Sequence, residues 1–285
     1  AILGMGKLGS RELTAGSDVD LILLYDHDPK AEESNGEKPL APSHYYARLT
    51  QRLIAAVSAP TAEGVLYELD LRLRPSGNKG PVATHIEAFR KYQREEAWTW
   101  EHMALTRARP VAGDAAFCDV VESEVAAVLA QSRDEAKVLK DAAEMRRTIA
   151  QEKPARNIWD LKLIPGGQID LEFIAQCARL TGHIEPGEWP PTSTGDALAR
   201  LTAGFCDPQT RDELEAAYGL YLSLTQIVRL CLTGPLDPAD VPPGLADLLL
   251  RSADLPDLGV LEAHIRETSK RVAAHFDALV RRKRR

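Results

Sequence analysis

Two carboxylates two residues apart, Asp18 and Asp20, open an apolar run from Val19 to Tyr25 that reads as a buried strand. Residues i and i+2 of a strand share a face, so both carboxylates project to one side. Carboxylates aimed at one point repel each other unless a cation lies between them. Mg²⁺ is the fitting occupant, a hard ion that takes carboxylate and phosphate oxygens. Upstream, a short apolar run, Ala1 to Leu3, ends in the turn Gly4-Met5-Gly6-Lys7-Leu8-Gly9-Ser10. A glycine turn and a helix N-terminus present N–H groups that attract an anion. An anion cradle beside paired aspartates suggests a nucleoside triphosphate. Ser10 and the Gly9 backbone would then meet its β- and γ-phosphates, and Lys7 the charge that develops on them. A solvated strand entry is the plainer alternative for Asp18 and Asp20.

Gly4, Gly6 and Gly9 also fit the G-x-G-x-x-G spacing of a dinucleotide site, with Asp26 about twenty residues further on. The connection argues against that. A parallel βαβ crossover takes about a dozen residues or more. Here Gly16 and the loop Thr14 to Ser17 leave only about two turns of helix, Lys7 to Leu13, and the aspartates would have no task.

A third acidic candidate lies downstream. From Leu66 to Arg74 alternation is nearly strict, with Tyr67, Leu69, Leu71 and Leu73 on one face and Glu68, Asp70, Arg72 and Arg74 on the other. This predicts a half-buried strand with one solvated or functional side. Asp70 is the carboxylate best framed to join Asp18 and Asp20, and Arg72 beside it joins the nucleotide-binding set. Pro75 to Pro81 is a tight loop, either a shaper of the nucleotide site or simply a turn. Arg107 and Arg109 suit phosphate charge or a solvated end after a helix.

The elements around these residues are set by spacing. Asp26 to Pro42 is a polar connection. A helix capped by Ser43 buries Tyr46, Leu49, Leu53, Ile54 and Val57, and ends before Pro60 and Gly64. Helical sequence covers His85 to Tyr92 and Glu95 to Thr106. Beyond Asp114 the pattern is helical, over 114–130, 134–151, 168–181, 212–232 and 258–280, with a short extended segment around Trp159 to Ile164. The run 212–232 is apolar nearly all round and reads as the buried centre of a bundle. Along 168–181, Asp170, Glu172 and Gln176 form a polar edge. Residues 184–193 are a Pro-rich loop, and the tail 281–285 is a solvated cationic end. The organisation expected is α+β: residues 1–114 with a small mixed sheet flanked by helices, then an all-α bundle over 115–285.

The chain of 285 residues is 44% hydrophobic and 27% charged, an ordinary globular composition. Its net charge of −7 disfavours a nucleic-acid grip. No apolar stretch approaches a membrane span. Cys118, Cys177, Cys206 and Cys231 are widely spaced and mostly in apolar helical contexts, which suggests reduced core thiols in a cytoplasmic protein. The start, within a strand and with Ala, suggests a piece of a longer polypeptide.

Leu8-Gly9-Ser10, seven residues, then Asp18-Val19-Asp20-Leu21 resembles the signature of the DNA polymerase β-type nucleotidyltransferase superfamily. The longer strings Gly6-Lys-Leu-Gly-Ser-Arg-Glu-Leu13 and Ser17-Asp-Val-Asp-Leu21, with Asp70-Leu-Arg-Leu-Arg-Pro75 and Glu96-Ala-Trp-Thr-Trp-Glu-His102, resemble the glutamine synthetase adenylyltransferase family. The resemblance implies a nucleotidyltransferase domain over 1–114, a helical domain over 115–285 completing the cleft, and a metal triad of Asp18, Asp20 and Asp70. In a two-metal transfer, one Mg²⁺ activates the attacking hydroxyl and the other neutralises the leaving pyrophosphate. It further implies ATP as donor, a tyrosine of glutamine synthetase as acceptor, and a PII-type signalling protein and glutamine as regulators. Members of the family carry one half that adds AMP and one that removes it by phosphorolysis. The Trp98-Thr-Trp100 stretch and the basic C-terminus look like the adding half. A removing half and a non-catalytic docking module are the alternatives.

Overall fold

The computed structural model describes residues 1–64, 67–187 and 192–281. Leu66 of the expected strand, 188–191 of the Pro-rich loop and 282–285 of the cationic tail lie outside the described residues. The chain forms two compact units, Ala1–Gln131 and Ser132–Arg285.

In the first unit β1 (Ile2–Gly4) leads through α1 (Gly6–Gly9) into β2 (Val19–Tyr25), and the two strands pair antiparallel, Leu3 opposite Ile22. Antiparallel neighbours need no crossover, which is why so short a connection suffices. The helix there is a single turn, not the two expected: Ser10 caps it and Arg11 takes a left-handed φ of 61°. After α2 (Pro42–Val57) come β3 (Leu69–Asp70) and β4 (Ala83–His85), both parallel to β2. The helices α3 (Ile86–Glu95) and α4 (Thr99–Leu105) come next, then β5 (Arg109–Ala112) and α5 (Ala115–Leu129). Sheet order is β3-β2-β1-β5, with β4 also on β2. Leu21 to Leu24 of β2 are all buried, because β2 is the inner strand.

Three expectations change here. The alternating run 66–74 pairs only at Leu69 and Asp70, since the backbone N–H of Arg72 turns back onto Asp70 Oδ1 at 2.8 Å. Ser43 does not cap α2: Ala41 stands at that position and Pro42 at the first turn. Leu49 and Val57, expected inside, are 49% and 51% exposed, and Thr50 is the buried residue of that helix. Furthermore, α5 packs on β5, α3 and α4, so the compact unit extends past 114 to Gln131.

The second unit contains α6 (Glu135–Glu152), α7 (Gln168–Leu180), α8 (Thr194–Ala199), α9 (Pro208–Cys231), α10 (Pro243–Ala253) and α11 (Leu258–Leu279). Its most buried element is α7, which touches α6, α8, α9 and α11. Small residues there, Ala175, Cys177 and Ala178, let neighbours approach closely. The run 212–232 is thus not the centre: α9 buries Leu214, Tyr218, Tyr221 and Leu224 but leaves Leu230 73% exposed. The segment 159–164 is a series of turns instead of an extended stretch. Asp170 and Gln176 are buried, so they form no polar edge. Asp170 accepts from Arg146 Nε and from the N–H of Gly166, and Arg146 Nη2 donates to Leu163 O and Ile164 O, both at 3.2 Å. The pair thereby pins the turn that starts α7. Gly166 has φ 74°, and a Cβ there would strike the carbonyl of Ser269.

Candidate active site

The register of β2 and β3 sets the acidic site. Asp20 lies directly opposite Asp70 in the parallel pair, and Val19 N donates to Glu68 O at 2.8 Å. Neighbouring strands are about 4.8 Å apart, so Asp70 stands beside Asp20 while Asp18, two residues earlier, shares their face. Asp18 is exposed; Asp20 and Asp70 are half-buried. Asp20 is further constrained from above. Gly6 has φ 50°, and a Cβ there would collide with the Asp20 carboxylate. The glycine turn and the aspartates are therefore one construction.

A cavity of about 310 Å³ opens over this face, lined by Asp18, Glu68, Asp70, Arg72, Arg74 and Asn78 among others. Both oxygens of Asp70 accept from the Arg72 guanidinium, which is itself largely exposed. That hydrogen bonding holds the Asp70 carboxyl below its ordinary range, against the opposing effect of burial. Asp70, Asp18 and Asp20 together raise Arg72. The donor set, hard carboxylate oxygens on one face, suits Mg²⁺. Among the described residues, however, no three His, Cys, Asp or Glu side chains are gathered as a metal cage. Arg72 is the cation that sits on Asp70.

The remaining nucleotide candidates divide. Lys7 Nζ lies 3.4 Å from Thr14 Oγ1, which bonds Ser17 Oγ at 2.6 Å, so the loop before Asp18 is tied to the turn. Ser10 is buried: its Oγ donates to Gly6 O at 3.1 Å and accepts from Arg107 Nη2 at 2.9 Å. Arg107 also pairs with Glu12 at 3.2 Å, both side chains nearly buried. Arg109 donates from Nε to Gly9 O at 3.1 Å and from Nη2 to Leu8 O at 3.3 Å. Gly9 itself admits no side chain, since a Cβ would strike the carbonyls of Arg107 and Gly4. Thus Arg107 and Arg109 brace the turn from behind. Arg74 does the same for the loop after β3, donating to Leu71 O at 2.6 Å and Gly80 O at 3.3 Å.

Residues 1–126 match the family model described as glutamate-ammonia ligase adenylyltransferase. A bifunctional glutamine synthetase adenylyltransferase/adenylyl-removing enzyme of Mesorhizobium japonicum is 69% identical over 281 residues, 99% of this chain and 28% of the relative. The proteins of the same name from Brucella suis and Rhizobium meliloti are 62% and 56% identical over 98% of this chain, covering 28% and 29% of their own lengths. The match to that family model takes in residues 1–126, and the likeness to these relatives runs over nearly the whole chain. The chain spans little more than a quarter of the length of the curated relatives it matches.

The stretch Glu96 to His102 sits at the start of α4. Glu101 is the buried anchor, accepting from Trp98 N at 2.9 Å and Tyr92 Oη at 2.8 Å, while His102 Nε2 bonds Gln93 O at 2.9 Å. Both tryptophans face outward, Trp98 70% and Trp100 39% exposed. Of the cysteines, Cys177 and Cys206 are buried, Cys118 is half-buried, and Cys231 is exposed instead of in the core. No described helix is long and apolar enough to cross a membrane. Sequence reasoning did not assign Gly6 its contact with Asp20, nor Glu68 and Asn78 their places in the cavity wall. The alternation 68-70-72 already put Glu68 on the right face.

Proposed function

We propose that this chain transfers AMP from ATP to a tyrosine hydroxyl of glutamine synthetase. One observation carries the reading: Asp20 and Asp70 are register partners, with Asp18 on the same face, beneath a glycine turn. The relatives' names supply the acceptor, and the family resemblance supplies the tyrosine and ATP. In the transfer a bond forms from the tyrosine oxygen to the α-phosphorus, the bond to the β-phosphate oxygen breaks, and pyrophosphate leaves. Asp18 and Asp20 would hold two Mg²⁺ ions, with Asp70 a ligand of the one on the attacking side. Bound there, Mg²⁺ supplies charge neutralisation and a lowered pKa for the hydroxyl. Asp70 Oδ receives the hydroxyl proton once Arg72 has released it, and the freed guanidinium is within the same cavity for phosphate oxygens. Lys7 takes β- and γ-phosphate charge, while Gly9, whose N–H donates to Met5 O at 2.9 Å, keeps the turn in shape together with Ser10, Arg107 and Arg109.

The adding direction is favoured. Phosphorolysis needs a second anion pocket, and the two arginines closest to the turn are engaged with Glu12 and with carbonyls. A cytoplasmic setting goes with ATP as donor, and a PII-type protein and glutamine are regulators on the resemblance. The test incubates the chain with labelled ATP, Mg²⁺ and glutamine synthetase. Label should appear on the acceptor with wild type and vanish with Asp20→Asn. Near-normal transfer by Asp20→Asn sinks the metal assignment. Phosphate-dependent release of ADP from modified enzyme, with negligible forward transfer, reverses the direction.

A further inference from the structure

The outer face of α2 is unusual for this chain. The helix contains no acidic residue, whereas the whole chain carries 42 acidic residues against 35 lysines and arginines. Its inner side, through Tyr46 and Thr50, lies toward β4 and the end of β2, and Tyr46 stacks on Tyr25 with ring centroids 4.2 Å apart. Its outer side shows two flanks at helical spacing. Arg48 and Arg52, with His44 beside them, form a basic one, and Tyr45, Leu49 and Ala56 an apolar one. All six are exposed, Tyr45 by 42% and Leu49 by 49%. Neither Arg48 nor Arg52 has an ion-pair partner among the described residues, whereas Arg72, Arg90, Arg94 and Arg107 of the same unit are paired and Arg74 and Arg109 donate to backbone carbonyls.

We propose that this face docks an acidic surface of the acceptor protein, a proposal that rests on the reading of the chain as a protein-modifying enzyme. Arginine and tyrosine side by side, with an aliphatic residue between, are what protein interfaces use as anchors. Unpaired guanidinium groups call for carboxylates, and the apolar flank excludes water from them. A nucleic acid or an anionic membrane fits less well. The basic flank is one narrow stripe beside an acidic connection, Asp26, Asp28, Glu32, Glu33 and Glu37, whereas a phosphate-dense surface calls for an extended basic patch. The placement suits a protein acceptor: β2 carries Asp20 at one end and Tyr25 at the other, about 16 Å apart. A modified side chain can thus reach the carboxylates while its own protein rests on α2.

The test uses the 285-residue chain, the double variant Arg48→Glu/Arg52→Glu, and Leu49→Asp. Affinity for glutamine synthetase is measured by biolayer interferometry over a range of salt concentrations, and MgATP binding by calorimetry. Both variants should weaken acceptor binding at least about tenfold, with MgATP affinity and melting temperature unchanged. The double variant should also lose the salt dependence seen with wild type. Wild-type acceptor affinity in both variants overturns the docking face alone. So does a lowered melting temperature in both, which would mean that the face is packed against other protein. Equal wild-type binding to RNA or to phosphatidylserine vesicles, abolished by the double variant, overturns the protein occupant. If wild type binds MgATP but neither binds nor modifies glutamine synthetase, the functional reading itself fails.

Discussion

Arg107→Ala separates the phosphate role that the sequence suggests for this arginine from the bracing role that its contacts suggest. Its guanidinium lies 3.2 Å from Glu12 and 2.9 Å from Ser10 Oγ, with the arginine and glutamate side chains 8% and 9% exposed. Truncation leaves the Glu12 carboxylate buried without that partner, and Ser10 without that donor. Breaking a buried pair from one side costs about 3–5 kcal/mol. For a unit of this size each kcal/mol moves the midpoint by about 3–4 °C, so the first unit should melt about 10–20 °C lower. Differential scanning calorimetry reads this directly, and Arg107→Lys, which keeps charge but not the fork, should fall between. A phosphate ligand would behave in the opposite way. If Arg107→Ala keeps its midpoint within about 2 °C while MgATP affinity drops about tenfold, the bracing argument is refuted.

Gly6→Ala places a methyl group against the Asp20 carboxylate at a left-handed φ of 50°. It should cost about 1–2 kcal/mol of stability and about a hundredfold in transfer; parent-like transfer would show that Asp20 has room to move. Arg72→Gln removes the hydrogen bonds that lower Asp70, so NMR should show its carboxyl titrating at higher pH. A depressed carboxyl contributes stability above its unfolded pKa that is lost as pH falls through the folded value. Wild type should therefore lose this contribution below the ordinary 3.8, and the variant should have little of it to lose. Asp170→Asn leaves Arg146 buried beside a neutral partner and should destabilise the second unit by about 3–5 kcal/mol in urea melts. A shift under about 1 kcal/mol would mean that the turn before α7 stands without the pair.

Long periodic segments were legible in the sequence because burial of one face imposes the period. β2 appears at Val19–Tyr25 as expected, and α5, α6 and α11 begin after the aspartates Asp114, Asp134 and Asp257, which cap them. Asp70, singled out by the alternation around it, stands in register with Asp20 across the parallel pair. Short pieces were not legible: β4 and β5 have three and four residues, fewer than any period can mark. Exposure was misjudged where apolar spacing exceeded the surface available to cover it, as at Leu49 and Leu230. The contacts of Arg107 and Arg109 were not legible because a sequence shows a charge but not which carbonyls lie within its reach. Arg109 finds Gly9 a hundred residues away in the chain.

The same edge of β2 receives two separate strands, β3 near its start and β4 near its end, and the chain leaves the sheet between them. Asp20 therefore sits within a strand held on both sides, by β1 and by β3. Asp70 is the last residue of a two-residue strand, and the loop after it is secured chiefly by Arg74. One wall of the site is rigid and the other is hung from a loop. The distance across the carboxylates can then be adjusted by residues 71–82 at little cost to the rest of the sheet, because opening so short a ladder breaks few bonds. Substitutions in that loop would tune the carboxylate spacing, and on the proposed function the rate, without touching Asp18, Asp20 or Asp70. Amide exchange at Asp70 and Leu71 should accordingly outpace exchange at Leu21 and Ile22 of β2.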